Sequence, residues 1–360
     1  MRRTAALIVG GGPAGSAAAI RLASAGARPL LLERHPHGDA LCGGFVSWRT
    51  IDRLASLGVD PDALNADRLT HVTIVAGDRV REAALPRPAI GVSRHRLDTL
   101  LRAAAIRSGA EVETGVTVRQ IDGLTAHLAD GATIAADAVF LATGKHDLRG
   151  LARPAAARGE DPTLGIRVRL PATPALARAL AGRIELHLFD RGYAGIALQE
   201  DGSANVCMAV HRSRLNAAGS PAGLLAALGR EHPRLGERLQ HLPADAAIDA
   251  IANVPYGWRQ RQGTQGLFRL GDQAGVIPSL AGEGMGIALA SGIAAADAWA
   301  MGGPAAAAAW QRDFARRLSR PMAVAGTVRR IAESRWSAAA VALLPPGLIQ
   351  VMAHATRMAP

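Results

Sequence analysis

At 360 residues, with 49% hydrophobic residues, 40 glycines and 3% aromatics, the chain suits one large α/β domain or two interwoven ones and excludes a disordered protein. Its formal charge of +11 is almost wholly arginine, Lys145 being the single lysine. No arginine run is interleaved with aromatics, so an anionic cofactor or a membrane surface is a more economical use of the charge than nucleic acid.

The two cysteines, Cys42 and Cys207, fit neither a disulfide framework nor a zinc site. A reducing cytoplasm is therefore the expected compartment, and no metal is expected. In chain order, Ala5–Val9 reads as a buried strand breaking into Gly10-Gly11-Gly12, which suits a strand and turn better than the apolar region of a signal peptide. Pro13 to Ala25 reads as a small-residue helix and Leu30-Leu31-Leu32 as a second buried strand, which makes a βαβ unit. Helices are expected from about Ser47 to Leu57 and from Arg94 to Ser108, and strands over Glu111–Val118 and Ala138–Ala142.

The middle changes character. Ile184, Leu186 and Leu188 alternate with Glu185, His187 and Phe189; Val206, Met208 and Val210 alternate with Asn205, Cys207 and Ala209. With the turn Glu200-Asp201-Gly202 between them, these runs predict an antiparallel sheet, with Cys207 in its core. The apolar stripe Leu186, Leu188, Ile196, Leu198, Val206, Met208 and Val210 predicts a lipophilic ligand. Leu267–Leu270 returns to a buried strand, a Gly-rich loop follows, and a helix runs from Ile287 to Met301 before two or three closing helices. No apolar run approaches the roughly 20 residues of a spanning helix. The nearest, Ala338 to Ala353, is interrupted by Pro345-Pro346.

The first motif, Gly10-Gly11-Gly12-Pro13-Ala14-Gly15, satisfies G-x-G-x-x-G between a strand and a helix. Gly10 permits the tight turn, Gly12 the approach of a pyrophosphate, and Gly15 close helix–strand packing. Pro13 and Ala14 open a helix whose positive end faces the phosphates. Glu33, 18 residues beyond Gly15 and followed by Arg34, is placed to accept from ribose hydroxyls. This fingerprint alone does not separate NAD from FAD.

The second motif does. Arg269-Leu270-Gly271-Asp272-Gln273-Ala274-Gly275 and Pro278-Ser279-Leu280-Ala281-Gly282-Glu283-Gly284-Met285-Gly286 run straight into a helix, aiming free N–H groups at the flavin edge that turns negative on reduction. Here the chain resembles the flavoprotein superfamily of aromatic-ring hydroxylases, geranylgeranyl reductases and lycopene cyclases. The resemblance implies that Asp272 binds the ribityl chain and that Gly271, Gly282, Gly284, Met285 and Gly286 pass the flavin. It also carries over Arg94, Val118, Ala142 and Gly144 as FAD contacts. Cys42-Gly43-Gly44 looks most like the geranylgeranyl-reductase branch, in which a cysteine lies beside flavin and substrate. Against that branch, Tyr193-Ala194-Gly195-Ile196-Ala197-Leu198 lacks its bulky aromatic and its Phe-Pro. The Trp-x-Trp-x-Ile-Pro signature of the halogenases does not occur.

The expected fold is α/β: a glutathione-reductase-like FAD-binding Rossmann domain (residues 1–75, 91–160 and 256–302), an inserted antiparallel β-sheet substrate domain (76–90 and 161–255), and C-terminal helices (303–360). The expected cofactor is FAD, with NAD(P)H visiting transiently because no second nicotinamide fingerprint is present. Cys42 and Tyr193 are the catalytic candidates, for proton donation to a lipophilic isoprenoid, polyketide or aromatic small molecule. Two chemistries stay open: hydride transfer from flavin N5 to an activated double bond, or oxygen capture as a C4a-hydroperoxide. A non-catalytic lipid or prenyl carrier is the rival from another class. Glu283 is expected to orient backbone, and His146 and Asp147 to organise the loop after Ala142-Thr143-Gly144. The arginines from Arg312 to Arg335, followed by apolar Ala338–Leu344, suit either a solvated face or peripheral contact with the inner membrane surface.

Overall fold

The computed structural model describes residues 2–358; Met1, Ala359 and Pro360, at the outer ends of the expected first and last segments, lie outside the described residues. The first part of the chain runs β1 (Arg2–Val9), α1 (Pro13–Ser24), β2 (Leu30–Glu33), β3 (Phe45–Val46), α2 (Trp48–Ser56), α3 (Pro61–Leu64), β4 (Leu69–Ala76), β5 (Arg79–Gly91), α4 (Arg94–Arg107), β6 (Glu111–Thr114), β7 (Val118–Asp122), β8 (Thr125–Leu128) and β9 (Thr133–Leu141). It continues with β10 (Thr163–Leu170), α5 (Pro174–Leu180), β11 (Arg183–Phe189), β12 (Gly192–Leu198), β13 (Ala204–His211), α6 (Arg212–Ala218), α7 (Pro221–Glu231), α8 (Pro233–Leu239), β14 (Asp249–Val254) and β15 (Leu267–Arg269). Helices α9 (Gly284–Gly302), α10 (Ala307–Arg317), α11 (Ser319–Ala332), α12 (Ser337–Ala342) and α13 (Pro346–Ala355) complete it.

The first sheet has the order β6-β2-β1-β9-β8-β7, with β15 also paired to β9. Its centre is parallel: β1 pairs β2 and β9, β2 pairs β6, and β15 pairs β9. Ala6, Leu7, Ile8 and Val9 are all buried, as a strand covered on both faces requires. Ile8 and Leu31 pack among residues of α1, α4 and α9, while Leu7, Val9, Leu30 and Leu32 pack with Ile121 and Ala126 of the β7–β8 hairpin. Helices α1 and α9 touch backbone to backbone: a Cβ on Gly292 would lie 2.3 Å from the Ala14 carbonyl oxygen.

The second sheet has the order β14-β10-β13-β12-β11-β4-β5-β3. It is antiparallel except where β4 joins β11 in parallel. Because β4 belongs to this sheet, the chain leaves the first sheet before Leu69 and not at the expected residue 75. The strand expected over Glu111–Val118 is two strands, β6 and β7, separated at Gly115, whose φ of +80° turns the chain. Helix α9 begins at Gly284, three residues earlier than expected.

The apolar stripe of the second sheet divides between its two faces. Ile196, Val206 and Val210 pack with Leu224, Leu228 and Leu235 of α7 and α8, so they serve a helix-covered core. Leu186 and Leu188 point the other way, toward Val341 of α12 and Ile349 of α13, with Val72 and Ile74 of β4 beside them. Cys207 faces this second side as well, and so does not sit in the sheet core as expected.

Among the described residues one helical stretch, Gly284–Arg317, is long and apolar enough by length and composition to cross a membrane, contrary to expectation; half of its most apolar window is buried in the fold. Its first part is the helix packed on α1, which accounts for the apolar composition as core.

Candidate active site

The turn after β1 is built by two close approaches. Gly10 has φ +108° and leaves no room for a side chain, since a Cβ would sit 2.4 Å from the Ala142 carbonyl oxygen where β9 ends. A Cβ on Gly15 would lie 1.9 Å from the Gly10 carbonyl oxygen, so α1 rests directly on the turn. Gly12 is the N-cap of α1 and no side chain caps it, which leaves the first N–H groups of the helix for an outside acceptor. The Arg94 guanidinium stands over this turn, 3.1 Å from where a Gly12 Cβ would be.

Arg94 opens α4 because Ser93 caps the helix, accepting from Arg96 N at 3.0 Å. Ser93 N and Oγ both donate to Glu200 in the β12–β13 turn, at 2.8 and 2.5 Å, which ties the two sheets at this point. Asp98 grips Arg94 through two bonds of 2.9 and 2.8 Å and keeps the buried guanidinium charged. At the end of β2, Glu33 accepts from Gly11 N at 2.6 Å and from His35 N at 2.8 Å, which fixes the carboxylate beside the turn. Arg34 is exposed next to it.

At the far side, Gly271 N donates to Ser291 Oγ at 2.8 Å, holding the short turn that presents Asp272. The Asp272 carboxylate meets the Lys145 ammonium at 3.1 Å and holds that lysine charged despite burial. Gln273 Nε2 donates to the Gly144 and His146 carbonyls at 2.9 and 3.0 Å, and Arg153, paired with Asp147 at 2.8 Å, donates to the Asp272 carbonyl at 3.1 Å, so the two loops lock together. Glu283 is wholly buried, turned away from the cavity toward Arg357 (3.2 Å) and Arg53 (3.7 Å), with Ser47 donating at 3.3 Å. Burial raises its pKa against the pull of both arginines. It anchors the Gly282–Gly284 backbone to the C-terminal segment.

All of this encloses a cavity of about 470 Å³. Gly12, Pro13, Ala14, Arg94, Ala142, Gly144, Gly271, Asp272, Gly282, Gly284 and Met285 line one half, together with Cys42 and Gly43. The other half is apolar, bounded by Val72, Ile74, Leu85, Ile184, Leu186 and Leu188 and by residues of α12 and α13. Gly10, Gly15, Glu33 and Arg34 shape or flank the turn without lining this space. The side chain of Val118 is buried with Leu7, Val9 and Leu32, away from it. Gly286 is also off the wall: a Cβ there would meet the Glu283 carboxylate at 2.6 Å and Thr50 Oγ1 at 2.8 Å, so it packs the loop from behind.

Tyr193 and Cys42 both reach the cavity. The Cys42 carbonyl accepts from Asn205 Nδ2 at 3.0 Å, and its sulfur accepts from Gly44 N at 3.4 Å. Cys207 lies on the same wall, its thiol pushed up to about 12 by burial. Three further lining residues escaped the sequence reading: Lys145, Tyr256 and Ser279. Rarity was the available signal, since the single lysine and both tyrosines of the chain converge here.

The uncapped α1 terminus, the Arg94 cation and the Asp272 carboxylate across the same space fit a dinucleotide with a pyrophosphate and a polyol chain. Residues 3–150 match the family described as FAD binding domain. The chain is 34% identical over 146 residues to a putative 2-heptyl-3-hydroxy-4(1H)-quinolone synthase of Rhodococcus erythropolis, covering 38% of each protein. It is 34% identical over 120 residues to the chloroplastic geranylgeranyl diphosphate reductase of Oryza sativa subsp. japonica, covering 33% of this chain and 26% of that protein. The matched stretches thus span well under half of either relative's length. Among solved structures, a flavoprotein/dehydrogenase from Cytophaga hutchinsonii superposes with a TM-score of 0.79 at 16% identity, over 99% of this chain and 92% of the other. Residues 3–150 thus match an FAD-binding domain, and the chain as a whole shares the fold of that solved flavoprotein.

Proposed function

We propose that the protein is an FAD-dependent oxidoreductase acting on a lipophilic small molecule of the isoprenoid, polyketide or aromatic kind. The observation that carries this reading is the continuity of the cavity: one space runs from the dinucleotide turn to an apolar chamber under the C-terminal helices. Gly12–Ala14 and Arg94 would hold the phosphates, Glu33 the ribose, Asp272 the ribityl chain, and the backbone of Gly282–Met285 the ring. When bound, FAD supplies a two-electron carrier. Around it the chain excludes water with Leu186, Leu188, Val341 and Ile349, and keeps hydroxyl and thiol protons in place on Tyr193, Tyr256 and Cys207, whose pKa values burial raises. Cys42 and Tyr193 are the groups placed to give a proton to the substrate.

NAD(P)H is the proposed electron donor, and the decisive experiment follows its consumption with lipophilic substrates under oxygen and under argon. Hydroxylated product in step with oxygen uptake assigns oxygen activation, whereas anaerobic turnover to a saturated product assigns hydride transfer. A purified protein that takes up no FAD would overturn both and favour a carrier. Relatives on both sides of this choice, a quinolone synthase and a geranylgeranyl reductase, match the chain, which supports the substrate class and not one chemistry.

The proposal extends to an anionic membrane surface as the place where substrate enters. Ile331, Trp336, Leu343, Leu348 and Val351 are exposed on and between α11, α12 and α13, and Ile331 and Leu348 also line the cavity. Arg320, Arg330 and Arg335 are exposed on the same segments, and Arg335 stacks on the Trp336 ring at 5.0 Å. Apolar anchors ringed by cations suit anionic headgroups.

A further inference from the structure

Where the apolar chamber meets the dinucleotide half of the cavity, three hydroxyls converge from separate parts of the chain. Tyr193 Oη lies 2.5 Å from Ser279 Oγ, and Tyr256 Oη lies 2.7 Å from the same atom. Leu280 N donates to Tyr193 Oη at 2.9 Å. All three residues line the cavity, and Arg329 stacks on the outer side of the Tyr256 ring at 4.7 Å, which fixes its plane.

Proton counting gives this cluster a definite polarity. Three hydroxyls carry three protons, and the two contacts among them use two. The Leu280 N–H brings its own proton and uses an oxygen lone pair. Burial holds both phenols above the ordinary range, so neither surrenders its proton near neutrality. One O–H is therefore left over, whichever way the chain of bonds runs. Accepting from Leu280 does not use the Tyr193 proton, so the spare O–H rests on Tyr193, Ser279 or Tyr256 according to the direction of the chain, and all three line the cavity.

We propose that Ser279, Tyr256 and Tyr193 form a hydrogen-bond-donating subsite that selects an amphiphile with one oxygen acceptor, a carbonyl or phenolic oxygen, at the flavin end and an alkyl or prenyl tail along Val72, Ile74 and Leu186. The proposal rests on the reading of the cavity as a lipophilic substrate site. It adds a polar requirement that a purely apolar chamber would not impose. A pure hydrocarbon would strand the spare donor without a partner, and one such loss is worth a factor of roughly five in affinity.

The test is calorimetric titration of the FAD-loaded protein with hexanophenone and with hexylbenzene, which differ by a carbonyl. The ketone should bind roughly fivefold tighter or better. The triple variant Tyr193→Phe, Tyr256→Phe, Ser279→Ala, which removes all three hydroxyls, should abolish that preference, whereas Ser279→Ala alone frees both phenolic protons and should keep it. Equal affinities in the unaltered protein overturn the proposal, as does a preference that survives the loss of all three hydroxyls. Binding of neither probe overturns the lipophilic reading along with it, so the two failures are told apart.

Discussion

Gly15→Ala probes the part of the site where the geometry is tightest. The new methyl carbon would sit 1.9 Å from the Gly10 carbonyl oxygen, and real Cβ contacts do not fall below 3.0 Å, so the turn and α1 must separate by at least 3.0 − 1.9 = 1.1 Å. Helix α1 has little room to retreat, because its other side meets α9 at Gly292, where a Cβ would be 2.3 Å from Ala14. Overpacking of this kind costs about 1–3 kcal/mol. If the strain is relieved by withdrawing the α1 N–H groups from the pyrophosphate, the cost falls on the bound state and weakens FAD affinity roughly 5- to 150-fold. Apoprotein titrated with FAD, read by flavin fluorescence, measures this, and a thermal melt of the apoprotein separates it from unfolding. Gly326→Ala is the control: no atom lies within 4 Å of the added carbon, and in the interior of α11 it should leave affinity unchanged and stability the same or slightly higher. A Gly15→Ala protein with unaltered FAD affinity would refute the reasoning.

Other substitutions reach different parts of the account. Burial pushes Glu185 up, but hydrogen bonds from His187 and Arg238 outweigh it and hold the carboxyl at about 2, against 4.5 when unfolded. A depressed carboxyl stabilises the fold above its unfolded pKa and loses that contribution as pH falls from 4.5 toward 2, so Glu185→Gln should flatten the acid limb of a urea-melt series in that window. An unchanged acid limb would contradict this. Glu283→Ala strands Arg357, which is 3% exposed in its side chain, and should destabilise the protein by about 3–5 kcal/mol, read as a lowered melting temperature. For the membrane face, Leu343→Asp with Val351→Asp should abolish cosedimentation with phosphatidylglycerol vesicles while neutral phosphatidylcholine vesicles bind neither form. Equal pelleting of the variant and the unaltered chain would remove the surface from the proposal.

The glycine loops were legible because their requirement is local. Gly10 needs a positive φ and Gly15 needs a missing side chain in any setting where a strand turns into a helix over a phosphate, so spacing alone exposes them. The buried parallel strands were legible for the same reason, as short apolar runs next to turn residues. The faces of the second sheet were not. In β12 and β13 apolar or small residues occupy both sides, Tyr193 and Gly195 on one and Ala194 and Ile196 on the other, so a period of two does not say which side carries helices. That is why Cys207 was assigned to the core and why the whole apolar stripe was assigned to the ligand, although most of it packs under the helices. The β4–β11 parallel pairing, between strands more than a hundred residues apart, has no local signature either. Lys145, Tyr256 and Ser279 became visible only once the loops carrying them were folded together, although the scarcity of lysine and tyrosine in an arginine-rich, aromatic-poor chain was a usable hint for the first two. Gly286 shows the converse: its motif position suggested the flavin, while its packing against Glu283 explains the glycine by sterics alone.

The account depends on Gly10–Gly15 and Asp272 addressing opposite ends of one molecule. Parallel titration of the apoprotein with FAD and with FMN tests this directly, since FMN keeps the ring and ribityl chain but lacks the adenylate end that Glu33 and the second phosphate site would hold. Saturation by FAD at one equivalent, with FMN weaker by two orders of magnitude or more, is the predicted result. FMN bound as tightly as FAD, or no saturable binding of either, would contradict it.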